Sequence, residues 1–194
     1  MQQLILASTS VFRKQLLMRL GLKFETLNPQ IDETPLPGES AADMVRRLAQ
    51  AKAQAVVKMK DCAQALIIGS DQAALADGAI LGKPGQHAQA VEQLRRLSGR
   101  SAEFLTAVCL YNHATQRAQI EIVPTTVVFR TLSDAQIEHY LKREPAYQCA
   151  GSFKSEGLGI SLVEKITGDD PTALIGLPLI RLTSMLENEG VRVL

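Results

Sequence analysis

The sequence contains little that would tie the protein to nucleic acid or to a disulfide framework. Its 194 residues include no tryptophan, 4% aromatic residues and only three cysteines, Cys62, Cys109 and Cys149. Because the cysteines are odd in number and widely spaced, they fit neither a disulfide framework nor a zinc motif, and they predict reduced thiols in a cytoplasmic protein. The formal net charge of +1 argues against a nucleic-acid partner held by a basic surface.

Several sequence signatures of other protein classes are also missing. No apolar run approaches the roughly 18–20 residues that span a membrane, and the N-terminus lacks the basic region of a signal peptide, so no membrane association is expected. The P-loop pattern and the Gly-x-Ser-x-Gly elbow are absent. The histidines at 87, 113 and 139 lack metal-ligand spacing and are expected on the surface.

What the chain does contain is the pattern of an α/β protein. Its hydrophobic content of 46% supports a substantial core, in one large domain or in two lobes sharing a cleft. The predicted strands are 4–7, 24–28, 66–68, 103–110 and 119–130. The predicted helices are 11–21, 41–60, 86–97, 133–143 and 172–186, the last with a break at Gly176 or Pro178. Ser10, Ser40 and Ser133 stand at N-cap positions. After Asp71, an extended segment over residues 73–75 is expected to lead to Asp77-Gly78, which is a hairpin-turn signal.

The stretch Leu66–Gln72 is the centre of the functional prediction. An apolar run is broken by Gly69 and Ser70, which predicts that Asp71 lies at the carboxyl end of a buried strand. In open α/β sheets, ligands bind at that edge. Asp71 is therefore either a helix or turn cap or a functional carboxylate, and Lys83, about ten residues later in a Gly-Lys-Pro turn, adds a cation suited to a phosphate.

Further polar residues follow other predicted elements. Ser8 and Ser10 connect the first strand to a helix N-terminus, a ready anion site, and Arg13 in the first helical turn either faces a polyanion or is a solvated charge. Lys52 adjoins the apolar face of the second helix, where it either reaches a phosphate or snorkels at the rim. In an extended chain, Lys154 and Glu156 would share one face, in a site or in a plain surface ion pair.

These residue types suit the chemistry of a nucleotide phosphoanhydride. The cations suit a polyphosphate, whereas Glu33 and Asp71 suit Mg²⁺, which prefers one or two carboxylates together with substrate phosphates and water. Hydrolysis of the anhydride would then need charge neutralisation and a positioned water molecule.

The chain resembles the Maf family of nucleotide pyrophosphatases over essentially its whole length. The order and spacing of several motifs carry this resemblance, although no single motif decides it. The motifs are Ser8-x-Ser10-x-x-Arg13, Asp32-Glu33, Lys52 in Leu-Ala-Gln-Ala-Lys-Ala, Gly69-Ser70-Asp71-Gln72, Gly82-Lys83-Pro84, Leu97-Ser98-Gly99, and the 151–159 block leading to Ile175-Gly176-Leu177-Pro178.

The resemblance implies one domain over residues 1–194, with a mixed sheet, flanking helices and two lobes around a central cleft, as in inosine triphosphatase-like folds. It implies hydrolysis of a nucleoside triphosphate to the monophosphate and diphosphate with Mg²⁺ or Mn²⁺. The implied proton acceptor is Asp71, which also binds the metal with Glu33. The other implied catalytic and substrate-binding residues are Lys52, Lys83, Ser8, Ser10, Phe12, Arg13, Gln72, Lys154 and Glu156.

Within the family, the chain looks most like the branch that acts on 7-methyl-GTP. Gln72 and the 152–157 run Ser-Phe-Lys-Ser-Glu-Gly carry this narrower match. Two alternatives stand beside this one. The first is a dTTP or UTP pyrophosphatase of a sister branch, in which the resemblance implies Thr at position 72 and Gln at position 156. The second is a nucleotide-binding regulator of septum formation with little turnover. Whether the protein forms a homodimer is left open by the sequence.

Overall fold

A computed structural model describes residues 3–57, 59 and 63–194. Cys62 and the predicted end of the second helix at Lys60 lie outside these residues. The strands are β1 (Leu4–Ala7), β2 (Glu25–Leu27), β3 (Leu66–Ala76), β4 (Ala79–Leu81), β5 (Ser101–Asn112), β6 (Arg117–Phe129) and β7 (Val163–Gly168). The helices are α1 (Val11–Met18), α2 (Ala41–Val57), α3 (His87–Leu97), α4 (Asp134–Arg143) and α5 (Leu179–Asn188). Short 3₁₀ turns occupy Ala150–Ser152 and Leu158–Leu162.

The strands form one mixed sheet in the order β2-β1-β3-β5-β6-β7, with β4 paired to β3. This confirms the predicted α/β class. The chain divides into two compact units. The first unit contains the described residues up to Asp71 together with Thr106–Val123 and Asp170–Leu194, and the second contains Gln72–Leu105 and Pro124–Asp169. Within the described parts of the chain, no helix has both the length and the apolar composition of a membrane span.

In the first unit, β1 runs parallel to β2 and to β3, with Ile5 opposite both Glu25 and Ile67. Leu6 and Ile68 contribute to an apolar core that also contains side chains of α1 and α5. Because side chains alternate along a strand, the odd-numbered residues of β3 point to the other face of the sheet.

The prediction that Gly69 and Ser70 end the central strand is wrong. Strand β3 continues through both residues to Ala76, so Asp71 lies in mid-strand. The strand continues because Ala74–Ala76 pair with the antiparallel strand β4 beyond the Asp77-Gly78 turn, as the turn pair itself had indicated. Pairing with β1 nevertheless stops at Ile68, so Asp71 lies three residues beyond the last residue that β1 covers.

The last helix begins later than the predicted start at residue 172. Residues 171–176 form turns, and α5 starts at Leu179, directly after Pro178. The buried Asp170 carboxylate accepts hydrogen bonds from the backbone N–H groups of Thr172 (2.9 Å) and Ile180 (2.8 Å). Since these bonds serve both the turn and the first turn of α5, Asp170 caps the helix from outside its sequence.

The second unit has an aromatic core. The ring of Phe153 lies 5.9 Å from that of Phe104 and 5.2 Å from that of Phe129. Strand β7, which the sequence analysis did not predict, pairs antiparallel with β6 at the edge of the sheet and is largely exposed. Its exposed residues give no alternating apolar pattern, which explains why it was missed.

Gly69 brings the central strand of the first unit unusually close to helix α2. A Cβ atom at Gly69 would lie 2.0 Å from the carbonyl oxygen of Ala49 and 2.9 Å from the backbone nitrogen of Ala53. Both contacts are with the helix backbone, which cannot rotate away as a side chain can. Any larger residue at position 69 would therefore push α2 away from β3.

We predict that Gly69→Ala destabilises the protein by about 1–3 kcal/mol or more, the usual cost of overpacking. The matched control is Gly82→Ala, because a Cβ atom there would meet nothing within 4 Å. Chemical denaturation of both variants measures the effect. Equal midpoints for the two variants would show that α2 does not depend on the missing side chain at position 69.

Candidate active site

Lys52 forms the centre of a charged cluster in the first unit. Its Nζ atom lies 2.6 Å from Oδ1 of Asp71 and 2.7 Å from Oε1 of Glu33. Lys52 is only 5% exposed, so it does not snorkel at a rim as one interpretation of the sequence had it. The reason is the position of α2, whose buried face runs through Ala49, Lys52 and Ala53 and packs closely on β3.

Asp71 is a buried carboxylate with a perturbed proton affinity. Burial raises the pKa of Asp71 above its ordinary value, and the nearby Glu33 adds to this rise. The positive charges of Lys52 and Arg13 oppose it. The carboxylate is therefore held beside two cations, yet it binds a proton more readily than an exposed aspartate does, which suits a proton acceptor.

Arg13 is held in place by a backbone carbonyl from a distant part of the sequence. Its Nε atom donates to the carbonyl oxygen of Gly176 at 2.8 Å, and the Ser70 hydroxyl lies 2.8 Å from the same oxygen. Gly176 has φ +119°, and a Cβ atom there would lie 3.3 Å from Arg13 Nε. Burial lowers the pKa of Arg13, while Asp71 and Glu33 act in the opposite direction.

The three other predicted residues of this unit are Ser8 and Ser10, in the turn between β1 and α1, and Phe12, in α1. The Ser8 hydroxyl oxygen accepts from the Ser10 N–H, and the Ser10 hydroxyl oxygen accepts from the Arg13 N–H at the helix N-terminus. The predicted N-cap at Ser10 is confirmed. Phe12 is half-buried in the first turn of α1.

The segment that carries Glu33 is fastened to α2 by Arg47, a residue that the sequence analysis did not select. The Arg47 guanidinium binds both carboxylate oxygens of Glu39, at 2.5 and 2.7 Å, and donates to the carbonyl oxygen of Thr34 at 3.2 Å. Two contacts to one carboxylate fix the geometry more firmly than one would. Arg47 thus ties residues 34–39 to the helix that contributes Lys52.

The second unit contains the predicted residue Lys83, on a loop that is held at both ends. Gln93 donates its amide to the Gly82 carbonyl oxygen at 3.0 Å, and the Gly85 N–H donates to the Tyr147 carbonyl oxygen at 3.0 Å. The buried Ser152 hydroxyl donates to the Gln93 side chain at 2.6 Å. Lys83 itself is exposed on this fixed loop.

The interpretation of residues 154–156 as an extended stretch is wrong. Residues 155–157 form a turn, because the Gly157 N–H donates back to the Lys154 carbonyl oxygen at 3.2 Å. The Lys154 ammonium contacts Glu144 at 2.8 Å. The other two predicted residues of this unit are Glu156, which is exposed, and Gln72 in β3, which is half-buried.

The donor set of the first unit fits a hard divalent cation that also binds phosphate and water. Glu33 and Asp71 bring two carboxylates to one ammonium group, so their oxygens lie close together. No group of three or more His, Cys, Asp or Glu side chains that could hold a metal occurs among residues 3–57, 59 and 63–194. Mg²⁺ and Mn²⁺ sites with one or two carboxylates need no such group, since substrate and water complete them.

Comparison with known proteins gives a full-length match. The family described as Maf-like protein matches residues 3–189. The chain belongs to the Maf family. A relative from Methylobacillus flagellatus named 7-methyl-GTP pyrophosphatase is 55% identical over 194 residues, covering 100% of both chains. Relatives with the same name from Nitrosospira multiformis (52% over 192 residues; 99% of this chain and 96% of the relative) and Pseudomonas aeruginosa (51% over 193 residues; 100% of both) are similar.

Several residues that organise this Maf protein were absent from the predicted site. Ser70, Arg47, Gln93 and Glu144 act through hydrogen bonds to groups 8 to 106 residues away in the sequence. Such partners have no fixed spacing, so periodicity does not find them. Ser70 and its partner Gly176 did have a sequence signal, because each lies in one of the family motifs.

The Arg47–Glu39 pair predicts a specific pH dependence of stability. The Arg47 hydrogen bonds outweigh burial and lower the pKa of Glu39 from 4.5 to about 2. A depressed carboxylate pKa stabilises the folded state above pH 4.5, and this contribution is lost as the pH falls from 4.5 towards 2. The difference in thermal midpoint between wild type and Glu39→Gln should therefore be constant near neutral pH and shrink below about pH 4.5.

The control for this measurement is Glu164→Gln, at an exposed position of β7. A Glu39→Gln difference that stays the same from pH 7 to pH 3 would contradict the role of the Arg47 pair.

Proposed function

We propose that the protein hydrolyses 7-methyl-GTP to 7-methyl-GMP and diphosphate and thereby removes a modified nucleotide from the pool. The observation that carries this proposal is the buried Lys52, bound to both Asp71 and Glu33. This cluster occurs in a chain that is 55% identical, end to end, to a relative named for that activity. A binding module without turnover would have no need of a buried carboxylate with a raised proton affinity.

In the proposed reaction, Asp71 accepts a proton from the attacking water. The water oxygen forms a bond to the α-phosphorus, and the bond from that phosphorus to the bridging oxygen breaks. The electron pair leaves with the diphosphate, and the proton passes to the Asp71 carboxylate. Lys52, at 2.6 Å, keeps this carboxylate ionised before the reaction, whereas burial makes the proton transfer easier than it would be for an exposed aspartate.

The cations bind and neutralise the triphosphate in this proposal. The Arg13 Nε donates to the Gly176 carbonyl oxygen, which fixes the orientation of the guanidinium. Its two terminal nitrogens are the groups that bind phosphate in this proposal. Lys52 and Lys83 add two point charges, and Ser8 and Ser10 shape the turn at the α1 N-terminus. Glu33 and Asp71 would hold the divalent cation, Mg²⁺ or Mn²⁺, which when bound neutralises charge on the phosphate oxygens.

Base recognition is assigned to Phe12, Gln72, Lys154 and Glu156. Methylation at N7 gives the guanine ring a positive charge, so a carboxylate at position 156 can accept hydrogen bonds from the base and oppose that charge. Phe12 can stack on the ring, a cation–π contact worth about 0.5–2 kcal/mol. Lys154 is paired with Glu144 at 2.8 Å.

We also propose a cytoplasmic location. Cys109 and Cys149 are free thiols, as proteins of reducing compartments have.

We predict that Asp71→Asn lowers kcat by roughly 10²–10⁴-fold, because the amide keeps the shape but cannot accept the proton. The control is Asp169→Asn, at an exposed aspartate of the second unit. Steady-state release of diphosphate from 7-methyl-GTP measures both variants. More than about a tenth of wild-type kcat in Asp71→Asn would exclude Asp71 as the base.

The substrate is tested with a panel of 7-methyl-GTP, GTP, dTTP and UTP. We expect the highest kcat/KM for 7-methyl-GTP, loss of turnover in excess EDTA, and recovery on adding Mg²⁺ or Mn²⁺. A charged hydrogen bond is worth about 1–2 kcal/mol more than a neutral one, so Glu156→Gln should lower the preference for 7-methyl-GTP over GTP by roughly 5- to 30-fold.

Each alternative function gives a different result in this panel. Preference for dTTP or UTP would move the protein to the sister branch, and negligible turnover of every nucleotide would favour a regulator. Full activity in EDTA would exclude the metal-assisted mechanism.

A further inference from the structure

Tyr140 and Glu144, at the C-terminal end of α4, fix the 154–159 segment, which carries Glu156. Glu144 is the C-cap residue of α4 and lies four residues after Tyr140. Both contact the segment. The Tyr140 hydroxyl oxygen accepts from the Lys154 N–H at 3.2 Å, and Glu144 Oε1 accepts from the Lys154 ammonium at 2.8 Å.

The second carboxylate oxygen of Glu144 binds the far end of the same segment. Oε2 accepts a hydrogen bond from the Leu158 N–H. A single side chain therefore holds the residues on both sides of Glu156. The Glu144 side chain is only 16% exposed. Burial acts to raise its pKa, but the hydrogen bonds from Lys154 and Leu158 outweigh burial and lower the pKa of Glu144.

The glycines of the segment allow this close approach. A Cβ atom at Gly157 would lie 2.3 Å from Oε1 and 2.5 Å from Oε2 of Glu144. At Gly159 it would lie 2.4 Å from the carbonyl oxygen of Lys154. The backbone thus packs directly on the carboxylate and on itself, so the position of Glu144 dictates the path of the chain through residue 156.

Glu156 contributes no comparable anchor of its own. It is exposed, and its carboxylate accepts a hydrogen bond from the neighbouring Ser155 hydroxyl at 3.4 Å. Phe153, the residue before the 154–159 segment, packs against Phe104 and Phe129 in the core. The backbone therefore determines the direction in which Glu156 points. Phe153 fixes the backbone before Glu156, and Glu144 fixes it on both sides of Glu156.

We infer that Glu144 is a positioning residue for substrate selection, which orients Glu156 towards the base by clamping the 154–159 segment. This inference rests on the proposed function, because it takes Glu156 as the group that distinguishes 7-methyl-GTP from GTP. It adds a residue that contacts no substrate and acts only through the loop.

The test compares wild type, Glu144→Gln, Glu156→Gln and the double variant, with kcat/KM measured for 7-methyl-GTP and GTP. A glutamine at 144 cannot accept all the bonds that the carboxylate accepts, so we expect the preference for 7-methyl-GTP to fall by about 3- to 30-fold while GTP hydrolysis changes little. The double variant should show the preference of Glu156→Gln alone, since residues that act through one another are not additive.

Two further variants keep the test decisive. Gly157→Ala leaves Glu144 intact but places a Cβ atom against its carboxylate, so it should reproduce the loss of preference if Glu144→Gln fails to fold. Glu164→Gln, at an exposed position of the same unit, is the charge-matched control and should change neither substrate.

Amide hydrogen exchange at Leu158 provides the readout that does not depend on substrate. The Leu158 amide should exchange faster in Glu144→Gln than in wild type or Glu164→Gln, because it donates to Glu144. Unchanged exchange would overturn the clamp itself.

The kinetic outcomes separate the two proposals. If wild type prefers 7-methyl-GTP but Glu144→Gln and Gly157→Ala keep that preference, or lose both substrates equally, the inference about Glu144 is wrong. Additive effects in the double variant would also overturn it. If wild type shows no preference for 7-methyl-GTP, the proposed specificity fails instead, and the exchange measurement still decides whether Glu144 holds the segment.

Discussion

The first unit depends on the near-contact between β3 and α2 at Gly69. Since side chains alternate along β3, Ile67, Gly69 and Asp71 point to the same side of the sheet. The missing side chain at Gly69 lets the helix backbone at Ala49 and Ala53 approach. Lys52 lies between these two residues, which brings its ammonium to 2.6 Å from Asp71. The smallest residue of the strand thus sets the position of the charged cluster two residues further on.

A buried lysine bound to two carboxylates is costly unless the whole arrangement is satisfied. Removing ions from water opposes folding, and an ion pair repays this only when geometry and further hydrogen bonds are good. A well-packed apolar group in place of the cluster would serve stability as well or better. The presence of this cluster beside Arg13 therefore indicates a catalytic or binding role rather than a stabilising one. The raised pKa of Asp71 agrees with that interpretation.

The sequence predicted local features more successfully than distant ones. The caps at Ser10 and Ser133 and the Asp77-Gly78 turn were found because each depends on residues within three positions of one another. The end of the central strand was misplaced because Gly69 was taken as a breaker, whereas its role is to admit the helix. The start of α5 was misplaced because Asp170, ten residues before Ile180, supplies the cap.

In the candidate site, too, the sequence predicted the local features and missed those that depend on distant partners. Residue types and family motifs brought Glu33, Lys52, Asp71 and Arg13 into one prediction, and the structure places these four within one charged cluster. The positioning residues escaped because their partners are determined by the tertiary fold. Arg47 meets Thr34 and Glu39 through the turn before α2, and Glu144 meets Leu158 through the turn after Phe153.

The charge balance of the Lys52 cluster shows what it would need to bind a triphosphate. Arg13 and Lys52 carry two positive charges and Asp71 and Glu33 carry two negative charges, so this cluster is close to neutral. A triphosphate adds several negative charges, and they would repel Asp71 unless other cations offset them. Under the proposed mechanism this need falls to the divalent metal and to Lys83. Lys83 is exposed on a loop that is held at both ends. Such a loop fixes the cation before the substrate arrives, so little ordering is left for the moment at which the phosphate binds.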